Sequence, residues 1–252
     1  MKIMKKQYSF SILLTIILLL NVTACSNSGG DYSQDNTDTQ TPSGDVLTAE
    51  KQSALTPEQI LESLKEGNQR FVNNNLTPRD FQAQVSQTST GQYPEAVVIS
   101  CIDSRVPVEH VFDKGIGDIF VARVAGNFVN EDILGSTEFA TAVAGSKVIL
   151  VMGHEQCGAV KSAIDNVEMG NITAMLSKIM PAVDQTRESF EGDASNNNPE
   201  FVDLVIENNV EYTINKMRAE SPIIADLERK GEVMIVGAYY DLDTGVVTFL
   251  EE

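Results

Sequence analysis

The sequence predicts an α/β fold: an open, mostly parallel central sheet of four strands plus an antiparallel edge strand, with helices on both faces. Three observations carry this expectation. Apolar runs at Val97-Val98-Ile99 and Val148-Ile149-Leu150-Val151-Met152 are unbroken rather than alternating, as in strands buried on both faces of a parallel sheet. Segments of helical period separate the strand-like runs. Near the end, Asp241-Leu242-Asp243-Thr244-Gly245 has turn composition between two further apolar runs.

Of 252 residues, 42% are hydrophobic, enough to bury a sizeable core in a single domain. The formal net charge of -18 gives a surface that repels nucleic acid and anionic lipid, so no nucleic-acid partner is expected. Residues 1–24 look like an export signal. Lys2, Lys5 and Lys6 make a basic start, Phe10 to Leu20 an apolar core too short to span a bilayer, and Val22-Thr23-Ala24 a small-residue site before Cys25. The order Val-Thr-Ala-Cys resembles the lipobox of bacterial lipoproteins, which implies lipidation of Cys25, export, and anchoring to a bacterial cell membrane through the N-terminal lipid only. The alternative is an ordinary secretory signal cleaved near Ala24. Residues 25–54 are mostly polar and are expected to be a disordered tether, with the domain occupying 55–252.

The domain opens with Thr56 as an N-cap and Pro57 at the first helical position. Ile60, Leu61, Leu64, Phe71 and Val72 form a stripe, and Asn73-Asn74-Asn75 ends the helix, which is expected on the domain exterior or against a partner subunit. Thr77 to Tyr93 is polar and yields no assignment. Pro94 introduces the first strand, Ala96 to Cys101. Pro107 opens a short helical turn through Phe112, and a second strand spans Asp118 to Val124. Glu131 to Ala144 reads as a helix whose small residues Gly135, Ser136, Ala140 and Ala144 meet the sheet.

After the third strand, Gly158 begins a helix to about Val167. Ile172, Met175, Leu176, Ile179 and Val183 form a further stripe that Pro181 is expected to kink. Pro199 opens a long helix to about Glu220 with two apolar sides, which calls for two packing partners. A short helix lies between Pro222 and Gly231, the fourth strand runs from Val233 to Tyr240, and Val246 to Leu250 forms the edge strand.

Ligands of open α/β sheets bind beyond the carboxyl ends of strands where the strand order reverses. The first core strand ends in Cys101-Ile102-Asp103-Ser104-Arg105 and the third in His154-Glu155-Gln156-Cys157-Gly158. If those strands are neighbours, Cys101, His154 and Cys157 converge. Two sulfurs and an imidazole suit Zn²⁺, and with Cys25 otherwise engaged and His110 the only other histidine, a fourth Cys or His ligand is lacking. That pattern favours a reactive site whose remaining position is open or filled by a carboxylate. A Cys101–Cys157 disulfide is the alternative an exported chain permits, with His154 a bystander. Asp103 and Arg105 can pair across an extended loop, which would keep the carboxylate ionised and off the metal; unpaired, Asp103 could close the site.

With Cys101-x-Asp103-x-Arg105 and His154-x-x-Cys157, the chain resembles a β-class carbonic anhydrase. The likeness covers most of residues 57 to 250, including Gly67-Asn68-x-Arg70-Phe71, Gly91-Gln92-x-Pro94 and Gly117 through Asn127. It implies that Cys101, His154 and Cys157 hold zinc, that Asp103 and Arg105 are the catalytic pair, and that the enzyme is a homodimer or higher assembly. It further implies that Gln92 and the Gly158 backbone N–H hold substrate while Phe120 lines an apolar pocket. Phe139 departs from the tyrosine common in the family. The implied reaction is reversible hydration of CO₂ to bicarbonate and a proton by zinc-bound hydroxide. Zinc lowers the pKa of bound water to about 7 in a three-histidine carbonic anhydrase that shares this reaction but not these ligands. Two thiolates donate more charge than imidazoles, so a less acidic water is expected here. Hydrolysis of another small cumulated molecule such as carbon disulfide, or zinc holding or redox work without turnover, are the competing functions.

Overall fold

The computed structural model describes residues 41–250; the leader, Cys25 and the first part of the tether lie outside them. A five-stranded sheet organises the chain: β1 (Ala96–Ser100), β2 (Ile119–Arg123), β3 (Val148–His154), β4 (Met234–Tyr240) and β5 (Val247–Phe249), in the order β2-β1-β3-β4-β5. All pairings are parallel except the β4–β5 edge. From β1 the chain goes to β2 on one side and then to β3 on the other, so the strand order reverses between β1 and β3.

Alternate residues of the central strands feed two cores. Ala96, Val98, Val148, Leu150 and Met152 face one side, where helices α2 (Pro57–Val72) and α4 (Val108–Val111) cover them with Ile60, Leu64, Val108 and Val111. Val97, Ile99, Ile149 and Val151 face the other, against α5 (Glu131–Glu138), α9 (Pro199–Glu220) and α10 (Pro222–Arg229). Full burial of a side chain such as Leu64 stabilises by about 1.5–3 kcal/mol. At Gly153, an added Cβ would lie 2.7 Å from Ile206 Cγ2, so the absent side chain is what lets α9 lie this close to β3.

Helix α2 starts in a complete capping box between Thr56 and Gln59, with Pro57 in the first turn, and it lies on its own chain's sheet through Ile60 and Leu64. The two packing partners of α9 are arranged along its length. Phe201, Val202, Val205 and Ile206 meet α6 (Gly158–Ile164) and α8 (Met180–Ser189), while Val210, Ile214 and Met217 meet the sheet. Between α6 and α8 lies α7 (Gly170–Leu176); Pro181 does not kink a helix but stands in the first turn of α8.

Two expectations need correction, and one unassigned stretch gains a helix. The tether does not run to Ala54: Ala49–Ala54 is helix α1, capped by Thr48, and buried Gln52 donates from Nε2 to Pro94 O and Ala144 O. A polar composition concealed it because its docking is by hydrogen bonds. The unassigned stretch contains α3 (Phe81–Thr88), whose N-cap Asp80 accepts from Ala83 N–H. No apolar stripe betrayed it, since Phe81 and Val85 are exposed and buried Gln84 ties it down by donating to Asp45 O and accepting from Ile116 N–H. Finally, Gly135 and Ser136 face solvent; Leu134, Thr137 and Ala140 face inward, and the helix widens into a π-helical turn over Phe139–Val143. Among the described residues no helix is long and apolar enough to cross a membrane.

Asp113 joins α2, α3's leading loop and α4. Its side chain is fully buried and accepts from Arg70 Nε at 2.6 Å, Thr77 Oγ1 at 2.6 Å and Arg79 Nη1. Burial pushes the carboxyl up, but the bonds from Thr77, Arg70 and Arg79 outweigh it and hold it at about 2. With a folded pKa below the unfolded value of about 3.9, the stabilisation is present above that value and fades as pH falls toward about 2. Asp113→Asn is expected to lower stability at pH 7 by roughly 2–4 kcal/mol. Urea titrations of both forms should converge as pH drops from 4 toward 2; equal stability at pH 7 would show that the carboxylate contributes nothing.

Candidate metal centre

The register of the parallel pairs builds the site. Ser100 lies beside Arg123 on β2 and Met152 on β3, so Cys101 leaves β1 level with the end of β3, which runs on through Gly153 to His154. Gln156, with φ +53, turns the chain back so that Cys157 stands at the N-cap of α6. Cys101, His154 and Cys157 are all buried, and their candidate ligand atoms lie within 4.8 Å of one another. Both sulfurs are free thiols, so the alternative of a Cys101–Cys157 disulfide is not what the fold contains.

The imidazole is oriented for a ligand. His154 Nδ1 lies 2.8 Å from Glu155 O, an arrangement that assigns the proton to Nδ1 and leaves the Nε2 lone pair toward the sulfurs. Nε2 is buried and has no hydrogen-bond partner, a state that costs about 1–3 kcal/mol unless something binds it. The thiols interact directly. Hydrogen bonding from Cys157 pulls the Cys101 thiol well below its ordinary value against burial, helped by Gly126 N–H, 3.4 Å from Sγ. The same bond to Cys101, followed by burial, pushes Cys157 up, against the pull of the Val160 and Ala159 backbone N–H groups at the start of α6. A divalent cation favours two thiolates and a neutral imidazole, so the donor set and the orphaned nitrogen fit zinc.

Asp103 lies in the turn after Cys101. Its Oδ1 accepts from Arg105 N–H and Nε, its Oδ2 accepts from Arg105 Nη2 at 2.8 Å, and Oδ2 is also 3.8 Å from His154 Nε2. The Arg105 hydrogen bonds, opposed by burial, hold the carboxyl well below the usual carboxylate range. The Asp103–Arg105 pair is therefore formed beside the cluster. Gly158 opens α6 directly after Cys157, exposed and with open space where a side chain would be.

Two predicted site residues are not brought there within one chain. Gln92 is exposed ahead of β1, at the opposite end of a strand about 16 Å long. Phe120 pairs with Val97 near the start of the strands and meets Phe139 edge-on, ring centroids 6.5 Å apart. His110 is on α4, lining a separate cavity with Leu76, Phe81 and Ile116. Conversely, sequence reasoning assigned no role in the site to Arg123, Gly126 and Asn209. Gly126, at φ +84, adopts a backbone conformation that strains any residue with a side chain, and buried Asn209 donates to its carbonyl. A charged residue ending an apolar strand and an amide on the apolar side of α9 were the available signals.

Comparison with known proteins bears on this geometry. A family model described as carbonic anhydrase matches residues 96–247. Carbonic anhydrase 2 of Mycobacterium tuberculosis is 34% identical over 189 residues, covering 73% of this chain and 87% of that protein. A carbonic anhydrase of Mycolicibacterium smegmatis is 33% identical over 191 residues, covering 73% and 89%. Among solved structures, a Coccomyxa β-carbonic anhydrase in complex with acetazolamide superposes with a TM-score of 0.61 at 27% identity, covering 77% of this chain and 85% of that one. One of two tetrameric β-carbonic anhydrases from Sordaria macrospora shares the fold, with a TM-score of 0.59 at 24% identity over 68% of this chain and 91% of that one.

Metal analysis of purified protein is expected to find a single zinc per chain, lost in Cys157→Ser or His154→Ala while far-UV circular dichroism is unchanged. Chelation should make the Cys101 and Cys157 thiols titratable; a metal-free protein with these sulfurs oxidised to each other would overturn the assignment.

Proposed function

The chain belongs to the β-class carbonic anhydrase family, and from that premise we propose that it interconverts CO₂ and bicarbonate at a zinc ion held by Cys101, His154 and Cys157, with Asp103 and Arg105 assisting. The observation that carries this reading is the orphaned His154 Nε2 facing two thiols with the Asp103 carboxylate alongside. When bound, zinc supplies a Lewis acid that makes hydroxide available near neutral pH. The chain's own groups do the rest. Arg105 keeps Asp103 ionised by two side-chain hydrogen bonds, so Oδ2 acts as an acceptor that orients the attacking water. Glu155 O fixes the imidazole, and Gly158, exposed at the start of α6, supplies the backbone N–H for an oxygen of the substrate.

The remaining expected contributors call for a second copy of the chain. Exposed apolar side chains occur near both in the chain: Phe81 and Val85 lie on the helix that precedes Gln92, and Phe120 meets the exposed ring of Phe139, with exposed Val143 at the end of the same π-helical turn. Exposed apolar groups on so acidic a chain suit burial between copies. We read the assembly as a homodimer or higher oligomer in which the partner's copy of Gln92 completes the site, an arrangement in keeping with the tetrameric relatives from Sordaria macrospora. The lipobox-like leader supports export and lipid anchoring at Cys25 to a bacterial cell membrane, with the intervening residues as a short tether.

Stopped-flow CO₂ hydration by the zinc-loaded protein tests the reaction; turnover of carbon disulfide without CO₂ hydration, or zinc binding without turnover, would replace it. Asp103→Asn is expected to cut kcat roughly 100-fold with zinc retained, and unchanged turnover would remove Asp103 from the mechanism. Val85→Glu or Val143→Glu should reduce both the mass measured by light scattering and the activity. A fully active monomer would contradict the shared site.

A further inference from the structure

The guanidinium of Arg123 is the feature of the site that the proposed chemistry leaves unused. Arg123 is the last residue of β2, an edge strand from which a side chain could extend freely into solvent. It turns back instead. Nε donates to Cys101 O at 2.8 Å and Nη2 donates to Asp103 O at 2.5 Å. One planar fork thus spans the carbonyls of a proposed metal ligand and of the carboxylate beside it.

That placement has a mechanical consequence. Asp103 O also accepts from Val106 N–H at 3.1 Å, closing a turn, and within that turn Asp103 Oδ1 accepts from Arg105 N–H. The direction of the carboxylate is therefore set by the backbone at 103, and the backbone at 103 is tied to the backbone at 101 through Arg123. On the far side, Val124 N–H donates to Ser100 O and Gly126 N–H reaches Cys101 Sγ. Arg123 and the turn that follows it, through Gly126, thus hold both the main chain and the sulfur of Cys101. A guanidinium suits this role because its donors are fixed in one plane; a lysine ammonium could reach either carbonyl but would not set the distance between them.

We propose that Arg123 is a positioning residue that acts through Asp103: it holds the loop 101–103 so that the carboxylate stays paired with Arg105 and at a set distance from the metal ligands. The inference rests on the reading of zinc and Asp103 given above. Without Arg123 the turn loses its tie to Cys101, and Asp103 is free to leave Arg105 and approach the ion.

The test compares Arg123→Gln, Arg123→Lys, Asp103→Asn and the double variant Arg123→Gln/Asp103→Asn, each as full-length protein loaded with zinc or with cobalt. Arg123→Gln is expected to lower kcat roughly 10- to 100-fold with zinc content retained, and to shift the visible bands of the cobalt form; Arg123→Lys should give intermediate effects. In the Asp103→Asn background the Arg123→Gln change should cost no more than about twofold, since both act on one unit. Equal losses in the two backgrounds, or an unchanged kcat and cobalt spectrum in Arg123→Gln, would overturn the proposal. If Asp103→Asn alone leaves turnover intact, the reading of Asp103 itself fails and this inference falls with it. A slow Asp103→Asn enzyme with additive or silent Arg123 changes defeats only the positioning role. Should Arg123→Gln not fold, the same cycle run with Arg123→Lys decides.

Discussion

The parallel pairing of β1 with β3 is the constraint on which the site depends. Its register sets Ser100 against Met152, and because β3 extends to His154, a cysteine leaving one strand and a histidine ending the next come out side by side. The pairing is secured from both faces. Val98 and Leu150 fill one core and Ile99 and Val151 the other, so a slip by one residue would send each side chain to the wrong layer. The reversal of strand order at this point leaves the crevice free of a crossing connection. The same topology explains why Gln92, at the amino end of β1, cannot reach the cluster from within its own chain.

Around the cluster, local free energy is given up for geometry. A buried imidazole nitrogen has no hydrogen-bond partner, and Gln156 and Asn127, which carry side chains, adopt positive φ. Each of these is unfavourable by itself, and they lie beside two buried thiols where a cation would satisfy the donors. The supporting contacts are distributed: Glu155 O orients the imidazole, Asn209 on α9 holds Gly126, and Arg123 on β2 holds the loop after Cys101. These come from three separate parts of the sheet-and-helix frame, so the donor geometry depends on the packing of the domain as a whole. Local order with inconsistent pieces at one point is the pattern expected of a functional site.

Several elements were legible from residues alone. The unbroken apolar runs marked β1 and β3, the Thr56-Pro57 and Pro199 starts marked α2 and α9, and the turn residues after Tyr240 marked the antiparallel edge. Elements held by polar contacts were not. α1 and α3 dock through Gln52 and Gln84, and a glutamine that will be buried looks the same in sequence as one that will be exposed. The helix from Glu131 misled for a related reason. Small residues suggested a close-packed face, but Leu134, Thr137 and Ala140 occupy that face and leave Gly135 and Ser136 exposed.

By itself the sequence determined the candidate donor types, the Asp103 and Arg105 spacing and the class of sheet, because those depend on residue chemistry and on short periodicities that survive without neighbours. Only the tertiary structure decided that the donor atoms of Cys101, His154 and Cys157 lie close enough to share one ion, and that Arg123 and Gly126, the latter held by Asn209, converge on Cys101. Those facts depend on which strands pair and in what register, and pairing is settled by the burial of both sheet faces at once, a sum over the whole chain that no short stretch contains.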